Sequence, residues 1–95
     1  IRQHVPTIYK DKFPDLILGN ADGTSAAKNI IELALNKLSD SDYAVSHNHP
    51  FKGGYITRNF GNPAKQVHAL QLEMSKTMYM DDQEQHYDEV RANKM

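Results

Sequence analysis

Between His47 and Glu73 the chain gathers side chains that chemistry needs and a core does not. Three of its five histidines, three of its five glycines and two of its four prolines fall there, together with Lys52, Arg58 and Glu73. Arg58 offers a planar fork of donors that matches a carboxylate, and Lys52 offers a point charge for the same kind of partner. Gly53 and Gly54 let backbone N–H groups come close to a ligand. His49 and Tyr55 are candidate donors whose part the sequence leaves open. Glu73 stands in an apolar strand pattern, where a carboxylate either finds a partner or serves as a general base. The stretch therefore reads as a binding or catalytic loop that feeds a strand.

Each of these residues also has a plainer reading. Arg58 can be a solvated surface cation or a structural ion-pair partner. Glu73 can pair with Lys65 or Arg58, and Lys52-Gly53-Gly54 can be a tight hairpin turn. His47 and His49, two apart, bind zinc only if a third ligand converges on them. His68 falls on the apolar side of its segment and reads as a structural histidine with a satisfied ring. Asp81, Asp82, Glu84 and His86 read as the solvated start of a helix, matched to its dipole, rather than as a metal site.

The elements that position these residues follow from the apolar pattern. A chain of 95 residues holds one domain with a modest core. Residues 1–14 show no helical or strand period and read as loop. Residues 15–18 form a short unbroken apolar run, a strand buried on both faces. Asn20-Ala21-Asp22-Gly23 supplies turn chemistry, and Thr24 or Ser25 is placed to cap the next helix. Over residues 25–38, Ala27, Ile30, Ile31, Ala34, Leu35 and Leu38 keep the spacing of a buried helix face, with Lys28, Glu32 and Asn36 opposite. A second strand is predicted over residues 43–46, which makes a right-handed crossover between parallel strands. Ligands of such sheets sit beyond the carboxyl ends of the strands, here Gly19-Asn20 and His47-Asn48-His49. Residues 67–74 read as a third strand, with Gln71 and Glu73 on one face and Leu70, Leu72 and Met74 on the other. Residues 81–95 read as a peripheral terminal helix with a thin apolar stripe.

Composition narrows the function. A formal charge of −1 gives no basic field for nucleic acid. With no cysteine there is neither a disulfide framework nor a thiolate nucleophile. No apolar run reaches the length of a membrane span, and no secretory signal precedes the first strand, so the expectation is a cytoplasmic chain and a piece of something longer.

The string Asn48-His49-Pro50-Phe51-Lys52-Gly53-Gly54-Tyr55-Ile56-Thr57-Arg58-Asn59-Phe60-Gly61, followed by Val67-His68-Ala69-Leu70-Gln71-Leu72-Glu73 and Tyr79-Met80, resembles the C-terminal portion of the N-formylglutamate amidohydrolases (N-formylglutamate deformylases). Pro14-Asp15-Leu16-Ile17-Leu18-Gly19 resembles the strand that precedes their crossover helix. The resemblance implies an α/β fold similar to the zinc carboxypeptidases, with a mixed sheet, flanking helices and a metal at strand ends. It implies a zinc-dependent hydrolase that splits N-formyl-L-glutamate into glutamate and formate in histidine degradation. Glu73 falls at the position that resembles the family's general base. Arg58, Lys52, Gly53, Gly54, Tyr55 and His49 fall in its substrate loop. The zinc ligands are expected in segments before Ile1, so this chain holds none and is expected to be inactive alone. Two other readings stand beside this one: a metallo-carboxypeptidase or deacylase of another acyl amino acid, and a non-catalytic binding module without the metal.

Overall fold

A computed structural model describes residues 1–6 and 9–95 of the chain. All four residues of β1 (Leu16–Gly19) are buried, as a continuous apolar run requires when both faces of a strand are covered. Burial of Ile17 and Leu18, almost wholly out of water, stabilises the fold by about 1.5–3 kcal/mol each. β1 is the centre of a three-stranded sheet of order β2-β1-β3. β2 (Val45–His47) runs parallel to it, with Leu16 opposite Val45. β3 (Gln71–Met74) runs antiparallel, with Ile17 opposite Glu73 and Gly19 opposite Gln71. The result is the mixed sheet and α/β class that the sequence predicts, with the helical crossover between β1 and β2.

Alternation along the strands puts Ile17, Gly19, Gln71 and Glu73 on one face and Leu16, Leu18, Leu72 and Met74 on the other. The last turn of α1 (Lys28–Ser39) reaches the second face. Leu38 from its last turn and Leu16, Leu72 and Met74 from the sheet line one cavity of about 210 Å³. Within α1, Ile31 is buried and Ile30, Ala34, Leu35 and Leu38 are half-buried, whereas Lys28, Glu32 and Asn36 are exposed. The face read from the sequence is the face that packs.

Several boundaries differ from the sequence reading, and each has a physical cause. α1 begins at Lys28 rather than Ser25, and neither Thr24 nor Ser25 caps it. The Ser25 hydroxyl donates to Ala69 O (2.7 Å), the Thr24 hydroxyl to Ala21 O (2.7 Å), and both Gly23 N and Ser25 N donate to Asn20 O. These bonds wind residues 20–25 into a turn instead of a first helical turn. β3 begins at Gln71 rather than Val67, because Val67 N donates to Asn62 O and Ala69 N to Ser25 O. Val67 and Ala69 are thus paired outside the sheet.

The sequence reading contains no helix at α2 (Tyr55–Phe60), and only Thr57 of it is buried. One buried residue leaves no period to read. Lys52-Gly53-Gly54 accordingly leads into a helix and is no hairpin. The terminal helix expected over residues 81–95 is reduced to α3 (Glu89–Lys94), capped by the Asp88 carboxylate through Arg91 N. The Asp81 carboxylate takes the Gln85 N–H (3.0 Å) that a helix would give to the Asp81 carbonyl. That bond, followed by the His86 ring, holds its carboxyl below the usual carboxylate value. Arg91 then ties the segment down by donating to Thr77 O, Met80 O and Asp82. Its guanidinium is held in the charged form chiefly by the Asp82 carboxylate. Residues 1–6 and 9–14 are irregular, as expected of the loop predicted over residues 1–14; residues 7 and 8 of that loop lie outside the described residues. Among the described residues no helix is long and apolar enough to cross a membrane.

Candidate active site

The carboxyl ends of β1 and β2 meet at Asn20, which is 2 % exposed. Its Oδ1 accepts from Asn48 Nδ2 (2.7 Å) and Gly23 N (3.1 Å), and the His47 Nε2 atom lies 3.1 Å away. In return Asn20 N donates to Asn48 Oδ1 (2.9 Å). A buried amide with its hydrogen bonds made costs little, and one stripped of them costs about 1–3 kcal/mol. Asn20 therefore pins the two strand ends in one arrangement. A cleft of about 360 Å³ opens beside it, lined by Asn20, Asp22, Lys28, Ile31, His47 and Asn48 among others. The position of this cleft, beyond parallel strand ends, is the one expected of a ligand site in such a sheet.

From there the chain turns back across the face of β1 that bears Gly19. A Cβ at Gly19 would stand 2.6 Å from both the carbonyl carbon and the oxygen of Lys52, so only glycine lets the loop lie so close. Lys52 O accepts Ala21 N (2.7 Å), and Lys52 Nζ meets Asp22 Oδ2 at 2.7 Å. Gly53 has φ +123°, and a Cβ there would also strike Thr57 Oγ1. The Thr57 hydroxyl donates to Gly54 O (2.8 Å) and closes the turn into α2. Lys52, Gly53 and Arg58 thereby share the wall of a second cleft, of about 320 Å³, with Ala21, Asp22 and Thr24. Arg58 is exposed, and among the described residues it takes part in no ion pair. It is the cation of this wall left over for a ligand, because Lys52 is already engaged by Asp22.

These contacts make a stability prediction. Gly19→Ala should destabilise the protein by about 1–3 kcal/mol, since the clash is with backbone that cannot rotate away. Gly23→Ala, which meets nothing within 4 Å but sits at φ +90°, should cost less, on the order of 1 kcal/mol. Urea unfolding of both variants checks the ordering. Equal effects would mean that the loop does not press on β1.

Glu73 is half-buried on β3, on the same face as Gly19 and Gln71. Gln71 Nε2 donates to Glu73 Oε1 (2.9 Å), and no ion pair to Lys65 or Arg58 is formed among the described residues. The carboxylate is not among the residues that line the Arg58 cleft. Gly54 joins the two: a Cβ on it would lie 2.8 Å from Gln71 Oε1. Tyr55 is 67 % exposed, with its ring 6.0 Å from that of Phe60. His49 points elsewhere, its Nε2 3.4 Å from Tyr9 OH and its ring edge-on to Tyr9. His47 turns to Asn20, so the two histidines do not converge. His68 Nδ1 accepts Ala27 N (3.0 Å), the satisfied structural role expected of it. Among the described residues no three His, Asp or Glu side chains stand close enough together to hold a metal ion.

The sequence places Asn20 in a turn and, with Asn48, at the strand ends where ligands sit, but it gives no sign of the hydrogen bonds between them or of a role for Thr57. An Asn at a strand end carries no signal of burial, and only the turn packed over it removes water. Gln71 shows itself in sequence only as a polar residue in phase with Glu73.

The family described as N-formylglutamate amidohydrolase matches residues 1–80. N-formylglutamate deformylase of Pseudomonas putida is 39 % identical over 85 residues, which are 88 % of this chain and 32 % of its own length. The enzyme of that name from Pseudomonas aeruginosa strain PAO1 is 40 % identical over 85 residues, or 87 % of this chain and 32 % of its own. The crystal structure of N-formylglutamate amidohydrolase from Ralstonia eutropha JMP134 superposes with a TM-score of 0.83 at 26 % identity, covering 99 % of this chain and 35 % of that one. The chain thus spans about a third of the length of these relatives.

Proposed function

The chain belongs to the N-formylglutamate amidohydrolase family, and we propose that it forms the C-terminal portion of an enzyme that hydrolyses N-formyl-L-glutamate to glutamate and formate. The observation that carries this reading is the approach, at Gly54 and Gln71, of the loop that leads to Arg58 and the strand that bears Glu73, neither of which is in an ion pair among the described residues. Both segments fall within the matched residues 1–80.

In the proposed reaction Arg58 holds a substrate carboxylate through two parallel hydrogen bonds, with Lys52 at the cleft wall adding charge once it leaves Asp22. Backbone N–H groups around Gly53 and Gly54 approach the substrate, and the exposed Tyr55 remains a donor at its rim, whereas His49, turned to Tyr9, takes no part. Glu73 takes a proton from the attacking water as the new C–O bond forms at the formyl carbon. It returns that proton to the nitrogen as the C–N bond breaks, releasing formate and the free amine. Zinc enters the proposal as a group held by residues outside these 95, since the described residues offer no cluster for it. When bound, such an ion polarises a carbonyl and acidifies water. With it goes a fold of the zinc-carboxypeptidase kind for the complete enzyme, and a place in cytoplasmic histidine degradation.

Formate release from N-formyl-L-glutamate tests the reading. The full-length protein should turn over, and N-acetyl and longer acyl glutamates should be poorer substrates. The 95 residues alone, with zinc added, should release no formate above background. Faster release from another acyl amino acid would move the assignment to a different deacylase, and turnover by the isolated chain would show a metal site within it.

A further inference from the structure

Gln71 lies two residues before Glu73 on β3, so the two side chains leave the same face of the strand as neighbours. Its amide nitrogen donates to Glu73 Oε1 at 2.9 Å. Its amide oxygen faces the other way, against the α-carbon of Gly54, where a Cβ would leave only 2.8 Å. One planar amide is thus wedged between the substrate loop and the carboxylate. We infer that Gln71 is a positioning residue for Glu73, fixing which oxygen of that carboxylate is free to accept a proton and setting its direction from the loop that holds the substrate. The inference rests on the reading of Glu73 as the general base.

The division between the two carboxylate oxygens supports it. Oε1 is occupied by Gln71, and among the described residues Oε2 has no hydrogen-bond partner. No buried side-chain oxygen or nitrogen among them lacks a partner, so Oε2 is open rather than sealed in. A carboxylate on a flexible two-methylene stem has several rotamers, and one anchored oxygen removes most of them. What remains is an oxygen, Oε2, with its acceptor sites free and its place defined by the anchored Oε1. Proton transfer depends steeply on such placement, because a water and its base must be within hydrogen-bond reach together.

Gly54 supplies an independent handle. Its φ of −136° is ordinary for any residue. A methyl group added there meets, at under 3 Å, only the end of the Gln71 side chain. The loop backbone can therefore stay in place while the amide is displaced.

The test uses the full-length protein with N-formyl-L-glutamate as substrate. Gln71→Met keeps length and shape but has no donor, and it should lower kcat by about tenfold with KM changed less than about twofold. Gly54→Ala should lower kcat in the same selective way, and it serves if Gln71→Met folds poorly. In a Glu73→Gln background Gln71→Met should cause no further fall, because there is no longer a base to position. A kcat unchanged in both single variants overturns the inference, as does an undiminished loss in the double variant, which would show Gln71 acting independently. Near-parental kcat in Glu73→Gln alone overturns the base assignment itself, and the positioning role with it.

Discussion

Glu73→Gln in the full-length protein should leave a folded, substrate-binding enzyme whose kcat is lower by at least about 10²–10⁴. The replacement is nearly isosteric, and it can still accept from Gln71 Nε2, which donates to Oε1 in the parent. Its partner on β1 is Ile17 across an antiparallel pair, so the strand register does not depend on the charge. Among the described residues no ion pair is lost either. What glutamine cannot do is take a proton from water. If Glu73 were only structural, the order of effects would reverse, with a lower melting temperature and most of kcat retained. Melting temperature, zinc content and kcat measured on one preparation separate the two. A stable, metal-loaded variant with near-parental kcat would end the assignment.

Arg58→Ala should act on substrate capture instead. Losing a two-point carboxylate contact should lower kcat/KM by about 30- to 1,000-fold, the upper end applying where bound substrate excludes water. Folding should be almost untouched, since the Arg58 side chain is exposed and forms no ion pair among the described residues. Arg58→Lys should recover only part, because an ammonium lacks the planar fork. Lys52→Ala should have the smaller effect of the two cations, because Asp22 already neutralises it at 2.7 Å. Steady-state kinetics over a range of N-formyl-L-glutamate concentrations gives both numbers. An unchanged kcat/KM for Arg58→Ala would return that residue to the solvated surface.

The two predictions draw on different amounts of sequence information. That Glu73 and Gln71 share a face apart from Leu72 and Met74 follows from a period of two, which any extended strand obeys. That Arg58 stands beside Lys52 and Gly53, in no ion pair among the described residues, does not, because it depends on α2, a helix with one buried residue and no readable stripe. Lys52 shows the same limit from the other side. Its charge was legible, but its capture by Asp22 needed the turn at residues 20–25 folded against the loop. His47 and His49, adjacent in pattern, are sent to Asn20 and Tyr9 by contacts across the fold.

From sequence alone come the elements whose own residues carry their burial: the unbroken apolar run of β1, the helical period of α1, and the parallel crossover that their order requires. The strings from Asn48 to Gly61 and from Val67 to Glu73 likewise resemble the amidohydrolases in sequence alone, while their glycines, cations and carboxylate, which serve no core, say only that a binding or catalytic loop lies there. Tertiary structure decided where elements begin and end, since Asn20 and Ser25 pair with Asn48 and Ala69 across the fold, partners that local propensity cannot foresee. It also decided which glycine is needed for what: Gly19 for the approach of the Lys52 carbonyl, Gly54 for the amide of Gln71. Those distances join residues more than ten positions apart, and a contact of that range exists only once the loop has closed over the sheet.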